Sequence, residues 1–196
     1  MGFKEDVGKV INMLVKETDE YEIIKKLQTI NSLILDYKIK ADNDFIIYPI
    51  WVEAYYNKED VFEDDSCHDD GNPPGQFKFR KHCEGRGGVD LYLSDSNEYY
   101  LSFLIKLALV KNGNDLILLS QTEIITEINE CFERLDTLKL SFSETDLNID
   151  RLRKARCKRI RVGGEYENAE LAVCYEDIKP RTYDTLKNKT ELYNLR

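Results

Sequence analysis

The chain is poor in the residues that announce the commonest chemistries. It has two histidines, one tryptophan, two methionines and four prolines in 196 residues. No His-Glu-x-x-His and no Gly-x-Ser-x-Gly occurs, which argues against zincins and serine hydrolases built on a nucleophile elbow. The longest apolar run, residues 99–110, is interrupted by Lys106 and falls well short of the roughly 20 residues of a spanning helix. No membrane partner is therefore expected. The first residues, Met-Gly-Phe-Lys-Glu-Asp, lack the basic and apolar regions of a secretory signal. They also miss the myristoylation pattern, because Asp6 stands where Ser or Thr is wanted. Five cysteines, an odd number without framework spacing, point to reduced thiols and a cytoplasmic setting. Positive charge is in deficit as well: the net charge is −9, so any contact with nucleic acid must use a local basic surface.

What is present reads as an ordinary globular protein, with 42% hydrophobic and 33% charged residues and enough length for one core. Val7, Val10, Ile11, Leu14 and Val15 repeat at helical spacing over residues 5–17. A second helix is expected from about Asp19 to Ser32, capped by Thr18 or Asp19. Residues 33–40 and 44–56 then read as a hairpin around Ala41-Asp42-Asn43. Pro49 places an edge or a bulge in its second strand. Residues 57–76 are acidic and turn-rich, a long surface loop. Strand signals resume over 76–81, 89–94, 99–110 and 116–119, the last pair joined at Asn112-Gly113-Asn114. Ser120 and Glu123 form a capping box for a further helix. A late helix or arm is expected over 145–158 and a last strand over 171–175. These signals predict one α+β domain over residues 1–196, with a curved, mostly antiparallel, partly closed sheet and helices at the N-terminus and centre.

The most informative segment is residues 46–56, Ile-Ile-Tyr-Pro-Ile-Trp-Val-Glu-Ala-Tyr-Tyr. A carboxylate in so apolar a strand costs free energy unless it is paired or put to use. Glu53 is thus either a general base or a strand-end side chain bonded to water or backbone. Val52-Glu53-Ala54-Tyr55-Tyr56 after a hairpin resembles the Val-Glu-Thr-Glu-Ala-Tyr signature of the alkyladenine (3-methyladenine) DNA glycosylases. Leu104-Ile105-Lys106-Leu107-Ala108 resembles that family's Leu-Leu-Arg-Ala-Leu strand, and Arg159-Ile160-Arg161-Val162-Gly163 its Pro-Arg-Ile-Gly. The resemblance implies hydrolysis of the N-glycosidic bond of an alkylated purine, flipped out of damaged duplex DNA, without a metal or cofactor. It makes Glu53 the water-activating base and Tyr55, with Tyr56, the stacking surface. Lys106 takes the place of the family's arginine, and Asp90, after Gly87-Gly88-Val89, lines the base pocket. The family's histidine is replaced by Asp64, with His68 nearest, and its basic loop by an acidic one.

Four further constellations stand out, the first two with two readings each. Arg151, Arg153, Lys154, Arg156, Lys158, Arg159 and Arg161 crowd one short segment. They either contact DNA phosphates or pair with nearby acids such as Glu165 and Glu167. Phe77-Lys78-Phe79-Arg80-Lys81-His82 suits stacking plus phosphate contact, or a strand with its phenylalanines inward and its cations in water. Cys67-His68 and His82-Cys83 suggest zinc, but adjacent ligands converge poorly. Gly85-Arg86-Gly87-Gly88 reads as a bulge or close backbone approach beside a pocket. Alongside the glycosylase stand a non-catalytic module that binds nucleic acid or protein, and a small-molecule nucleoside hydrolase or ligand-binding domain.

Overall fold

The first helix, α1 (Phe3–Leu14), buries Phe3, Val7, Val10, Ile11 and Leu14 on one side, the stripe its apolar spacing dictates. Here the fold is taken from a computed structural model that describes residues 2–41, 45–62, 67, 73–82, 87–113, 115–135, 137–147, 160–162 and 165–167. Helix α2 (Glu20–Asp36) opens on Asp19, whose carboxylate accepts the Glu22 N–H at 2.9 Å. It buries Ile23, Ile24, Leu27, Ile30, Ile34 and Leu35. The helix therefore runs past Ser32 to Asp36, correcting the expectation of extended chain from residue 33. Ile34 and Leu35 still fall on the buried stripe, and burial outweighs the modest helix cost of β-branched residues.

The chain passes directly into β1 (Tyr37–Lys40), which pairs antiparallel with β2 (Ile46–Asn57), Ile39 opposite Ile47. Strands β3 (Lys78–Lys81), β4 (Val89–Tyr92) and β5 (Tyr100–Asn112) follow. Next come β6 (Asp115–Ser120), α3 (Gln121–Cys131) and β7 (Ser141–Glu144). The seven-stranded sheet has the order β3-β4-β5-β2-β1-β7, with β6 also on β5. All its pairings are antiparallel, and it curls into a half-barrel. One edge of β5 carries β2; the other is divided between β4 at Ser102–Leu104 and β6 at Leu107–Asn112. Helix α3, held by the Ser120/Glu123 capping box, packs against β4, β5 and β6. Strand β7, absent from the sequence reading, pairs with β1, Lys40 opposite Ser141. It is short and mostly exposed, so its apolar signal is weak. Strands β8 (Ile160–Val162) and β9 (Glu165–Glu167) form a separate hairpin. The arm expected over 145–158 and the strand expected over 171–175 lie outside the described residues, apart from 145–147. No helix among the described residues is long and apolar enough to cross a membrane.

Pro49 sits at a bulge, in a strand with partners on both sides. Pro49 opposes Ala108, Trp51 opposes Leu107 and Val52 opposes Ile105, so Ile50 and Lys106 have no partner across the ladder. Each strand carries one extra residue, and the register closes again after both. Such bulges bend strands and increase twist. On the helix side lie Ile47, Val52, Ala54 and Tyr56 of β2, with Leu101, Phe103, Ile105, Ala108 and Val110 of β5, inside one core with α1, α2 and α3. The alternate residues face the other side of the sheet.

Gly88 has φ +120, and a Cβ there would stand 2.8 Å from Leu104 Cδ1, which is the close approach its glycine cluster suggested. Gly113, at φ +59, has open space around it. Gly88→Ala is therefore expected to cost about 1–3 kcal/mol from strain alone, plus displacement of Leu104. Gly113→Ala should cost about 1 kcal/mol. Urea unfolding of the two variants measures this, and equal costs would contradict the contact with Leu104.

Candidate functional site

Period-two alternation carries Glu53 and Tyr55 of β2 to the side away from the helices. On β5 the residue opposite Glu53 is Leu104, and Leu104 on its other edge faces Asp90 of β4, which in turn faces Arg80 of β3. Arg80, Asp90, Leu104 and Glu53 thus form one row across four strands. In the next row stand Lys78, Tyr92, Ser102 and Tyr55. Strands lie about 4.8 Å apart, so the backbones of the two carboxylate residues are roughly 10 Å from each other.

Two pairs of ionisable side chains occupy this face. Lys106 Nζ lies 3.3 Å from Glu53 Oε2, with side-chain exposures of 22% and 13%. The Tyr55 hydroxyl donates to the same oxygen at 3.3 Å. His82 Nδ1 meets both Asp90 oxygens, at 3.0 and 3.1 Å, and the two residues are 7% and 2% exposed. The Tyr55 ring lies 5.2 Å from the His82 ring, so one phenol joins the two pairs. Beside them the Arg80 guanidinium lies over the rings of Tyr92 and Tyr100, 5.8 and 5.5 Å away, in cation–π range. Ser102 donates to the Tyr100 hydroxyl. Burial pushes the Tyr100 phenol up, and the Asp90 charge adds to this. Cys67, from the acidic loop, packs against the cluster of Tyr55, Tyr92, Tyr100 and Leu104, so that loop reaches the site.

Four of the residues singled out in sequence, Glu53, Tyr55, Asp90 and Lys106, therefore share one face. Tyr56 does not. It alternates to the core side, fully buried, with its ring 5.5 Å from Phe62 and 6.3 Å from Tyr99, so it offers no stacking surface at this face. Tyr55 is only 4% exposed; its hydroxyl serves Glu53, and its ring is packed among neighbours instead of lying open to a base. Asp90 is turned to His82. Of the basic segment, Arg151, Arg153, Lys154, Lys158 and Arg159 lie outside the described residues, and Arg161 is placed on β8 opposite Tyr166.

Arg80, His82, Tyr92, Tyr100 and Ser102 were not assigned to the site from sequence. Phe77 and Phe79 do fill the core, but Arg80 and His82, on the opposite side, are 9% and 7% exposed and not in water. An alternating strand gives this pattern either way; only the covering of the second face distinguishes them. His82 Nδ1 is engaged by Asp90, while His68 and Cys83 lie outside the described residues. Among the described residues no three His, Cys, Asp or Glu side chains gather as a metal site.

Burial raises five phenols among the described residues, Tyr37 and Tyr48 and, furthest of all, three more, with Tyr56 reaching about 12 and Tyr99 and Tyr100 going higher still. Because the folded values lie above the ordinary value near 10, the stabilisation is complete below pH 10. It is lost as pH rises through the folded values. In an alkaline titration followed by tyrosine absorbance, these three of the twelve tyrosines should ionise only as the chain unfolds, and Tyr56→Phe should shrink that late phase. Ionisation of every tyrosine before unfolding would contradict this packing.

Compared with known proteins, the chain matches no family model, no curated protein and no solved structure.

Proposed function

We propose that the face carrying Glu53 and Asp90 is the active site of a DNA glycosylase that removes alkylated purines from damaged duplex DNA. The reading is supported most by the convergence of Glu53 and Tyr55 of β2 with Asp90 of β4 and Lys106 of β5 on one polar side of the sheet. In this reaction the damaged nucleotide leaves the stack. The Glu53 carboxylate takes a proton from water as the water oxygen bonds to the sugar C1′, and the C1′–N bond breaks with its electron pair moving to the base. Alkylation has already given the base a positive charge, so it departs neutral. The transition state carries positive charge on the sugar, which a carboxylate stabilises. Lys106 and the Tyr55 hydroxyl fix the carboxylate in place. No metal or cofactor enters the scheme. Arg151, Arg153, Lys154, Lys158, Arg159 and Arg161 would supply the phosphate-binding surface that a chain of net charge −9 otherwise lacks. With five cysteines, of which Cys67 and Cys131 are in no disulfide among the described residues, the cytoplasm is the setting this reading assigns.

The burial of Tyr55 and the engagement of Glu53 by Lys106 favour a second reading, a non-catalytic module that binds nucleic acid or protein on the same scaffold. Release of 3-methyladenine from methylated duplex DNA at low salt separates the two. The glycosylase reading predicts release by the native chain and a loss on the order of a hundredfold or more in Glu53→Gln. Absence of release, together with DNA binding that weakens as salt rises, would replace it with the binding module.

A further inference from the structure

A sheet presents unpaired N–H and C=O groups wherever it ends, and such an edge recruits another strand unless something guards it. Among the described residues this sheet ends at β3, β7 and β6. Strand β3 carries Lys78, Arg80 and Lys81 among its four residues, and β7 is short and mostly polar, Ser-Phe-Ser-Glu. Strand β6, Asp-Leu-Ile-Leu-Leu-Ser, has no lysine, no proline and a single charge. Its register on β5 runs unbroken from Asp115 to Ser120, so no bulge turns the edge aside. Leu116 and Ile117 are 47% and 49% exposed, two of the four large apolar side chains that stand exposed among the described residues. We propose that β6 is a self-association edge, pairing antiparallel with β6 of a second copy of this chain across a two-fold axis through Ile117. The pairing stands apart from the glycosylase reading.

Self-complementarity selects both the partner and the register. An axis that passes through the sheet at Ile117 makes the same patch meet itself and keeps each face of the sheet on its own side. Ile117 then meets Ile117 of the second copy on the helix side. On the far side Leu116 of each copy meets Leu118 of the other, and Leu118 already packs on the cluster of Ile50 and Leu107. Moving the axis to Leu116 would set Ile117 against Asp115, and moving it to Leu118 would set Leu116 against Ser120. Either shift leaves an exposed apolar side chain without an apolar partner.

The charges agree with the register at Ile117. The two Asp115 carboxylates fall four strand positions apart, about 13 Å, which exceeds the roughly 8 Å Debye length of physiological salt. Each comes to lie opposite Leu119 of the other copy, next to Ser120 at the N-terminal end of α3, where the helix dipole favours negative charge. Pairing over residues 115–119 buries less than the roughly 800 Å² per partner of a standard interface, so the association is weak and reversible.

Sedimentation equilibrium of the full chain tests this. The apparent mass should rise from 23.0 kDa toward twice that value as concentration increases from about 1 to about 500 µM. Ile117→Lys sets two like charges face to face and should raise the dissociation constant by about tenfold or more. Met13→Lys, at another exposed apolar side chain, should leave it unchanged. Under mild oxidation Ile117→Cys should form a disulfide between two copies at position 117, because directly opposed residues hold their Cα atoms about 4.5–5.5 Å apart. Leu116→Cys should not bridge to itself, since that diagonal is about 7–8 Å.

A single-chain mass at every concentration would overturn the proposal, and protected outward β6 amides in that monomer would show that a segment of the same chain covers the edge instead. A dimer indifferent to Ile117→Lys would overturn it too, as would cross-linking of Leu116→Cys equal to that of Ile117→Cys. Should the lysine variant fail to fold, hydrogen exchange of the native chain decides. The β6 N–H groups that point away from β5 should exchange more slowly at about 500 µM than at about 5 µM; exchange independent of concentration would overturn the pairing.

Discussion

Side chains on a strand alternate between its two sides, so the pairing of Ile46–Asn57 with Tyr100–Asn112 decides both what meets the helices and what meets on the far face. In the observed register Val52, Ala54 and Tyr56 join the core, and Glu53 and Tyr55 join Lys106. A slip of one residue would send the Glu53 carboxylate into an apolar interior beneath α1, α2 and α3, where it would have no partner. That outcome costs several kcal/mol. Ile50 and Lys106, each left unpaired in the ladder, absorb the irregularity at Pro49 without carrying that slip through the rest of the sheet. The core and the site therefore depend on the same pairing.

Covering both sides of a sheet has consequences for the polar residues on the second side. Asp90 at 2% exposure and Arg80 at 9% cannot rely on water, and each is held by a neighbour from another strand: His82 from the end of β3, or Tyr92 and Tyr100 from β4 and β5. Such pairs add little net stability against an apolar core of the same shape, while removing one member leaves a buried charge behind. Buried ionisable groups of this kind gather where chemistry or recognition needs them. Arrangement in rows across β3, β4, β5 and β2 also makes the site rigid, because every contributing backbone is tied into a ladder.

The helices were legible because their apolar residues recur at helical spacing and because Asp19, Ser120 and Glu123 mark their starts. The β1–β2 hairpin and the β5–β6 turn were legible from alternation and from Asn112-Gly113-Asn114. Residues 33–36 were misread because Leu33, Ile34 and Leu35 satisfy either period over so short a span. Strand β7 was missed because only Phe142 in it is apolar and packed. For the site, Glu53 stood out as a charge in an apolar strand. Tyr55 and Tyr56 were both assigned to the site, although neighbours on a strand cannot share a face. Arg80 and His82, noted only as part of an alternating basic and aromatic run, and Ser102 were not assigned to the site for a different reason. Polar residues at alternate positions look the same whether the second face is wet or covered, and what covers it comes from distant segments such as that of Cys67.

The measurement that bears most directly on this arrangement is a double-mutant cycle in stability between Glu53→Gln and Lys106→Met. If β2 and β5 hold the two side chains together as described, the substitutions couple by about 1–3 kcal/mol. Additivity to within about 0.5 kcal/mol would mean that the pair does not exist in solution, and with it would go the placement of Glu53 on the polar face.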